Sequence, residues 1–252
     1  MIEVKNLRVR YGAQEAVSDL SFAVDPGQWL MLVGPNGAGK STALAAIAQS
    51  VPYAGEVLWN GVSARTMKPR RFARHVGMLL QTHRIEYGFT VEEVVRLGRY
   101  AHRCGFCNHA DAEGEACVET ALRDAGLLEL RYKSVLELSG GEVQRVFLAQ
   151  VFAQNPELIL LDEPANHLDL LYQQRVFSLL GHWLSQNGHA IISVVHDLSL
   201  ARRYATHAVL LENGHAAAMG LADETLTRAH LQAVYGMDVY EWMRCLLARW
   251  AE

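Results

Sequence analysis

Long apolar runs are missing from this chain. The longest, such as Ala43 to Ala48 and, broken only by Ser193, Ala190 to Val195, fall far short of the roughly 20 residues a membrane-spanning helix needs, so no such helix is expected. Excess positive charge is missing too: 23 Lys and Arg against 27 Asp and Glu give a net charge of −4. That balance lacks the basic footprint of a dedicated nucleic-acid binder, and no nucleic-acid partner is expected. Only four cysteines occur in 252 residues, too few for a disulfide framework. The opening MIEVKNLRVRY alternates like a strand and contains no apolar export core. A cytoplasmic location with reduced thiols is therefore expected. No internal repeat or low-complexity linker breaks the chain, and half of its residues are hydrophobic, enough for a sizeable core.

What is present begins with GPNGAGKS, residues 34–41, wedged between the apolar run Trp29–Val33 and the helix-forming TALAAIA. The spacing G-x-x-x-x-G-K-S suits phosphate chemistry. Gly34, Gly37 and Gly39 let the backbone curl with its N–H groups pointing inward, and the start of the next helix favours an anion. Lys40 would reach the β- and γ-phosphates and Ser41 would bind Mg²⁺. A nucleoside triphosphate is the expected ligand.

Residues 1–30 and 55–80 carry short alternating segments broken by Gly12, Asp25-Pro26-Gly27 and Asn60-Gly61, which predicts an antiparallel sheet. Leu158–Leu161 and Ile191–Val195, the second interrupted only by Ser193, are apolar runs of the kind found in strands covered on both faces of a parallel sheet. Between them, residues 90–153 read as helical: Val91, Val94, Val95 and then Val118, Ala121, Leu122, Ala125 recur at three- and four-residue steps. Gly126 reads as the stop of the second of these helices.

A phosphate loop that supports hydrolysis needs a second carboxylate for the metal and a group to orient water. LILLDEP, residues 158–164, offers Asp162 and Glu163 for these tasks, although two acids ending a strand also suit a solvated terminus. LSGGE, residues 138–142, precedes the helical stretch ending at Asn155-Pro156. Ser139, Gly140 and Gly141 fit either a Ser-capped helix start or a second anion-receptive turn.

Taken in order, these motifs resemble the ATP-binding cassette (ABC) ATPase family over nearly the whole chain. The loop from Gly34 through Pro35, Asn36, Gly37, Ala38, Gly39, Lys40 and Ser41 to Thr42 resembles the Walker A motif, LILLDEP the Walker B strand, and Ser139–Glu142 the signature, where the family usually has Gln in place of Glu142. Gln81 resembles the Q-loop residue beside the metal, Asp169 in NHLD the D-loop, His196 in VVHD the switch histidine, and Tyr11 the aromatic that stacks on adenine. Asn166 and His167 are expected to serve a dimer contact. The resemblance implies an α/β fold: a P-loop NTPase (RecA-like) core with a mainly parallel sheet, an N-terminal antiparallel β subdomain and an inserted helical subdomain. The expected divisions are a core of 1–81 and 154–220, a helical subdomain of 82–153 and a helical tail of 221–252.

It also implies ATP and Mg²⁺ as ligands, with Ser41, Gln81 and Asp162 around the metal and Glu163, His196 and Gln81 acting on the γ-phosphate. A head-to-tail homodimer would hold two ATP molecules, each between the Walker motifs of one copy and the signature of the other. With no membrane segment of its own, such a subunit would drive two permease subunits from the inner face of the membrane, a substrate-binding protein acting through the permease. Phe89–His102 resembles the FTVEEVV-LGR-PH stretch of importers for iron chelates, haem and cobalamin. The alternatives are a soluble non-transport ABC ATPase, an exporter subunit, and a P-loop kinase or GTPase, which should lack LSGGE. Two features stand apart. His102, Cys104, Cys107 and His109 have zinc-compatible residue types but lie where the family has a variable loop. In the tail, Trp242, Leu246 and Trp250 fall on one helical face, expected to pack on the core or on a partner.

Overall fold

The computed structural model describes residues 1–80, 87–102, 112–166, 168–186, 188–248 and 250. The chain divides into two compact units: Met1–Gly61 with Ser193–Glu252, and Val62–Ile192.

The first unit opens with the antiparallel pair β1 (Ile2–Tyr11) and β2 (Gln14–Val24), whose register runs from Ile2 opposite Val24 to Tyr11 opposite Gln14. Asn6 and Asp19 both take a positive φ, and the Asn6 side-chain amide donates to Asp19 at 2.8 Å. The register shifts at this point. Ile2 and Val4 are buried before it and Leu7 and Val9 after it, so the bulge changes the parity of the strand while keeping its apolar side chains inward. Strand β3 (Trp29–Val33) is buried at all five positions, and helix α1 (Lys40–Ile47) follows it. Strand β4 (Ala54–Trp59) pairs antiparallel with β1. Asn60 and Gly61, both at positive φ, then make the turn expected from that dipeptide.

The second unit contains β5 (Val62–Ser63), α2 (Pro69–His75) and β6 (Val76–Leu79), then α3 (Val91–Leu97), α4 (Ala112–Asp124) and α5 (Gly140–Ala153). β7 (Leu158–Asp162) and α6 (Leu170–Leu184) follow, and β8 (Ala190–Val194) carries the chain back into the first unit. Val91, Val94, Val95, Val118, Ala121, Leu122, Val146 and Ala149 share one buried cluster, so the helical periodicity of residues 90–153 marks real inward faces. Gly126, at φ +64°, ends α4 in a left-handed turn. Glu92 on α3 accepts from Arg131 at 2.7 and 3.0 Å and pairs with Arg96. Held first by Arg131 and then by Arg96, its carboxyl is pushed down to about 2. One expectation needs correcting. The 55–80 stretch is not wholly antiparallel, because β6 runs parallel to β7, Val76 opposite Leu158 through Leu79 opposite Leu161. Pairing direction follows from a partner some eighty residues away and leaves no local signature.

Back in the first unit come α7 (Leu198–Tyr204), β9 (His207–Glu212) and β10 (His215–Leu221). β9 pairs parallel with β3 and antiparallel with β10. The Trp29 indole N–H donates to Ser193 Oγ at 2.8 Å, which satisfies a polar group that burial would otherwise penalise. Helices α8 (Ala222–Thr225), α9 (Arg228–Tyr235) and α10 (Val239–Leu247) form the tail. Of the two expectations for the tail face, packing on the core is not seen: Trp242 and Leu246 are exposed. Val239, Tyr240 and Met243 line the inward side of α10 instead, and the Tyr240 hydroxyl donates to the Leu226 carbonyl at 2.9 Å. No described helix is long and apolar enough to cross a membrane.

Candidate active site

In the first unit, the buried strand β3 delivers the chain into the glycine loop, and backbone contact fixes two of the glycines. A Cβ on Gly34 (φ +143°) would sit 2.1 Å from the Leu211 carbonyl oxygen, and one on Gly39 (φ +94°) would sit 2.2 Å from that of Ala16. Gly37 (φ +80°) faces open space, so only its dihedral requires glycine. The Ala38 carbonyl accepts from Gly214 N–H at 3.2 Å, and the Gly214 carbonyl accepts from Ser18 N–H at 2.8 Å. The turn after β9, with β2 and β9 themselves, thus holds the loop in shape. Helix α1 begins at Lys40 behind Gly39, with no side-chain cap and no acid in its first turn. Such a helix start suits an anionic group. Lys40 lies inside the loop, 5 % exposed, its ammonium donating to the carbonyls of Gly34 (2.7 Å) and Pro35 (2.8 Å). These bonds offset the cost of burying a charge.

The same unit holds Tyr11 and His196. Tyr11 ends β1 about half exposed, with ring surface available for stacking. Val195 N–H lies 3.4 Å from the Leu32 carbonyl, so the strand carrying His196 runs beside β3 just before the phosphate loop begins. His196 is exposed, while Asp197 caps α7 by accepting from Ser199 N–H at 2.7 Å. Tyr235 belongs to no motif. Burial raises its hydroxyl pKa, and a backbone hydrogen bond with Gly34 partly offsets that rise. No spacing rule links the end of α9 to a loop two hundred residues earlier.

In the second unit, β7 is buried from Leu158 to Leu161 and brings Asp162 to its end. Glu163 adopts φ +52°, a left-handed conformation uncommon for a residue with a side chain. Asn166 Nδ2 donates to Glu163 Oε2 at 2.6 Å. Gln144 Nε2 of α5 donates to the Pro164 carbonyl at 2.9 Å.

Ser139 caps α5 through a reciprocal box: Glu142 N–H donates to Ser139 Oγ at 3.4 Å, while Glu142 Oε2 accepts from Ser139 N–H and Oγ–H, both at 2.8 Å. Glu142 is therefore the acid that completes the cap. The backbone bond from Ser139, followed by that from its hydroxyl, holds the Glu142 carboxyl below the usual carboxylate range. Gly140 has open space around it, whereas a Cβ on Gly141 would meet the Tyr172 ring at 3.2 Å. Asp169 caps α6, accepting from Tyr172 N–H at 2.9 Å. Gln81, His167, Cys104, Cys107 and His109 lie outside the described residues. His102 is described, and its Nε2 sits 2.9 Å from the Gln154 carbonyl oxygen. Among the described residues no group of three or more His, Cys, Asp or Glu could hold a metal ion.

A buried strand, a glycine loop and a helix start built around a buried lysine define a P-loop nucleotide-binding protein. A family model described as ABC transporter matches residues 17–166. Over 95 % of this chain and 94 % of the other, the sequence is 40 % identical to the hemin import ATP-binding protein HmuV of Pseudomonas entomophila. It is 35 % identical to the iron(3+)-hydroxamate import ATP-binding protein FhuC of Bacillus subtilis, over 94 % of this chain and 88 % of that one. It is 36 % identical over 94 % of its length to an uncharacterized ABC transporter ATP-binding protein of B. subtilis, YvrA, of which it spans 54 %. A solved ATP-binding subunit of an ABC transporter superposes with a TM-score of 0.78 at 27 % identity, covering 98 % of this chain and 99 % of that one. The chain belongs to the ABC transporter family and is an ATP-binding ATPase with the P-loop cassette fold.

Proposed function

We propose that this chain is the ATP-hydrolysing subunit of an importer for an iron chelate, haem or a cobalamin-type compound. It works as a homodimer at the inner face of the membrane beneath two permease subunits, which a substrate-binding protein supplies. The observation that carries the reading is whole-length similarity to proteins named for hemin and iron-hydroxamate import. A groove of about 350 Å³ in the second unit supports the permease contact. Leu79, Leu80, Leu97, Tyr100, Phe147 and Val151 line it, and Leu80, Leu97 and Tyr100 are more than half exposed. An apolar, open surface of this kind suits a protein partner.

The residue roles follow from the chemistry of each group. Residues 34–42 cradle the phosphates, with Lys40 drawn toward them, and Tyr11 stacks on the adenine. Mg²⁺ fits the donors assigned to it, because the Ser41 hydroxyl and the Asp162 carboxylate are hard oxygen ligands, with Gln81 as a further amide oxygen; bound there, it would neutralise charge on the β- and γ-phosphates. Glu163 polarises the attacking water, and His196 contacts the γ-phosphate. Ser139, Gly140 and Gly141 of the second copy close over the same phosphate, with Glu142 holding Ser139 and Asp169 near the copy-to-copy contact. ATP then favours the closed dimer because it contacts both halves.

Glu163→Gln is expected to bind ATP, turn over very slowly and accumulate ATP-bound dimer in size-exclusion chromatography; wild-type turnover would remove the assigned role. Reconstitution with a permease and a binding protein of the haem or ferric-chelate type tests the importer reading. Haem- or ferric-chelate-loaded binding protein should stimulate hydrolysis severalfold, and Leu97→Glu should abolish the response. Equal hydrolysis with and without permease and cargo would favour a soluble ATPase.

A further inference from the structure

The sequence assigns Asn166 to a contact between copies, but the structure places its side chain on the acid that follows β7. Asn166 Nδ2 donates to Glu163 Oε2 at 2.6 Å, and Asn166 N–H closes the same turn onto the Glu163 carbonyl at 3.2 Å. The backbone beneath is held on both sides. Glu163 stands at φ +52°, so the turn, and not the extended strand, sets the direction of its side chain. Pro164 fixes the next φ, is buried, and offers its carbonyl to Gln144 Nε2 at 2.9 Å. What remains adjustable is the side-chain torsion of Glu163, and a donor 2.6 Å from one carboxylate oxygen restrains it. A neutral amide suits this task, since it orients a carboxylate without cancelling the charge that polarises water.

We propose that Asn166 is a positioning residue for hydrolysis, its side-chain amide holding the Glu163 carboxylate in the orientation from which it acts on the attacking water. The inference rests on the proposed role of Glu163.

The test uses the full chain with Asn166→Ala and with the near-isosteric Asn166→Leu, which keeps the side-chain shape, loses the donor and adds no charge beside Glu163. Both are expected to lower kcat roughly tenfold to a hundredfold, the scale of a misplaced catalytic group, while KM for ATP stays within about threefold. In the Glu163→Gln background, adding Asn166→Ala should leave ATP-driven dimer formation unchanged. Three results would overturn the proposal: kcat within twofold of the parent in both variants, a rise in KM with kcat unchanged, or loss of the ATP-driven dimer in the double variant, which assigns Asn166 to the interface. Should Asn166→Ala fail to fold, Asn166→Leu carries the same comparison. Glu163→Gln alone separates the two levels: if that variant turns over normally, the role of Glu163 fails first, whereas an inactive Glu163→Gln beside fully active Asn166 variants removes only the positioning role.

Discussion

Two glycine-rich turns run into helices in this protein, one ahead of α1 and one ahead of α5, and they finish the helix start in opposite ways. The first has no side-chain cap and no acid in its first turn. It buries a lysine among its own carbonyls, and two of its glycines are forced by backbone oxygens 2.1 and 2.2 Å from where a Cβ would lie. The second closes on itself: Ser139 and Glu142 exchange hydrogen bonds, and Gly140 has room to spare. A helix start left uncapped leaves its first amides to an anion, while the capped one has the Glu142 amide already engaged by Ser139. The contrast shows that glycine content does not define a phosphate site by itself. What surrounds the glycines differs as well: the first turn encloses its own lysine, and the second has Ser139 engaged by Glu142 while Gly140 stays open.

Breaking the first turn should give the largest effect. Gly39→Ala forces a side chain against the Ala16 carbonyl at a left-handed φ and is expected to cost about 3 kcal/mol or more, with ATP binding lost in calorimetry. The matched change Gly140→Ala should shift the unfolding midpoint hardly at all, and an equal loss at both sites would erase the distinction. Next comes Lys40→Ala. Removing a charge-assisted contact of about 3 kcal/mol lowers nucleotide affinity roughly a hundredfold, and unchanged binding would count against the phosphate loop.

Ser139→Ala should cost about 1 kcal/mol of stability and also slow hydrolysis. Its stability penalty should depend on pH in a defined direction. The Glu142 carboxyl lies below its ordinary value in the folded chain, so its contribution is complete above the usual carboxylate range and disappears as pH falls through the folded value. Thermal unfolding of parent and Ser139→Ala should therefore converge under acid conditions. Glu142→Gln should have the smallest effect, because Gln also completes a capping box; a midpoint shift of several degrees would show that the charge itself matters.

Much of this was legible in the sequence because it is local. Gly34–Ser41 between a buried run and a helix, the apolar Leu158–Leu161 and the helical spacing from Val91 to Ala125 all carry their own signature. Glu142 shows how far that extends: its departure from the usual Gln was visible, and only the geometry shows that it completes the cap on Ser139. What the sequence left unreadable was non-local. The direction of β6 depends on β7, and the inward stripe of α10 depends on the site where Tyr240 docks. Tyr235 and Tyr172 acquire meaning from the glycines they meet, neither of which is near in sequence. Asn166 stood in a motif that suggests a partner surface, and its bond to Glu163 depends on a left-handed backbone that composition does not reveal.

The nearness of the Tyr235 hydroxyl to the Gly34 backbone bears on how the chain can be shortened. Trimming from the carboxyl end back through α9 would remove a neighbour of the first phosphate-loop glycine, so a deletion aimed only at the outer tryptophans should stop after Gly236, where the left-handed cap of α9 completes that helix.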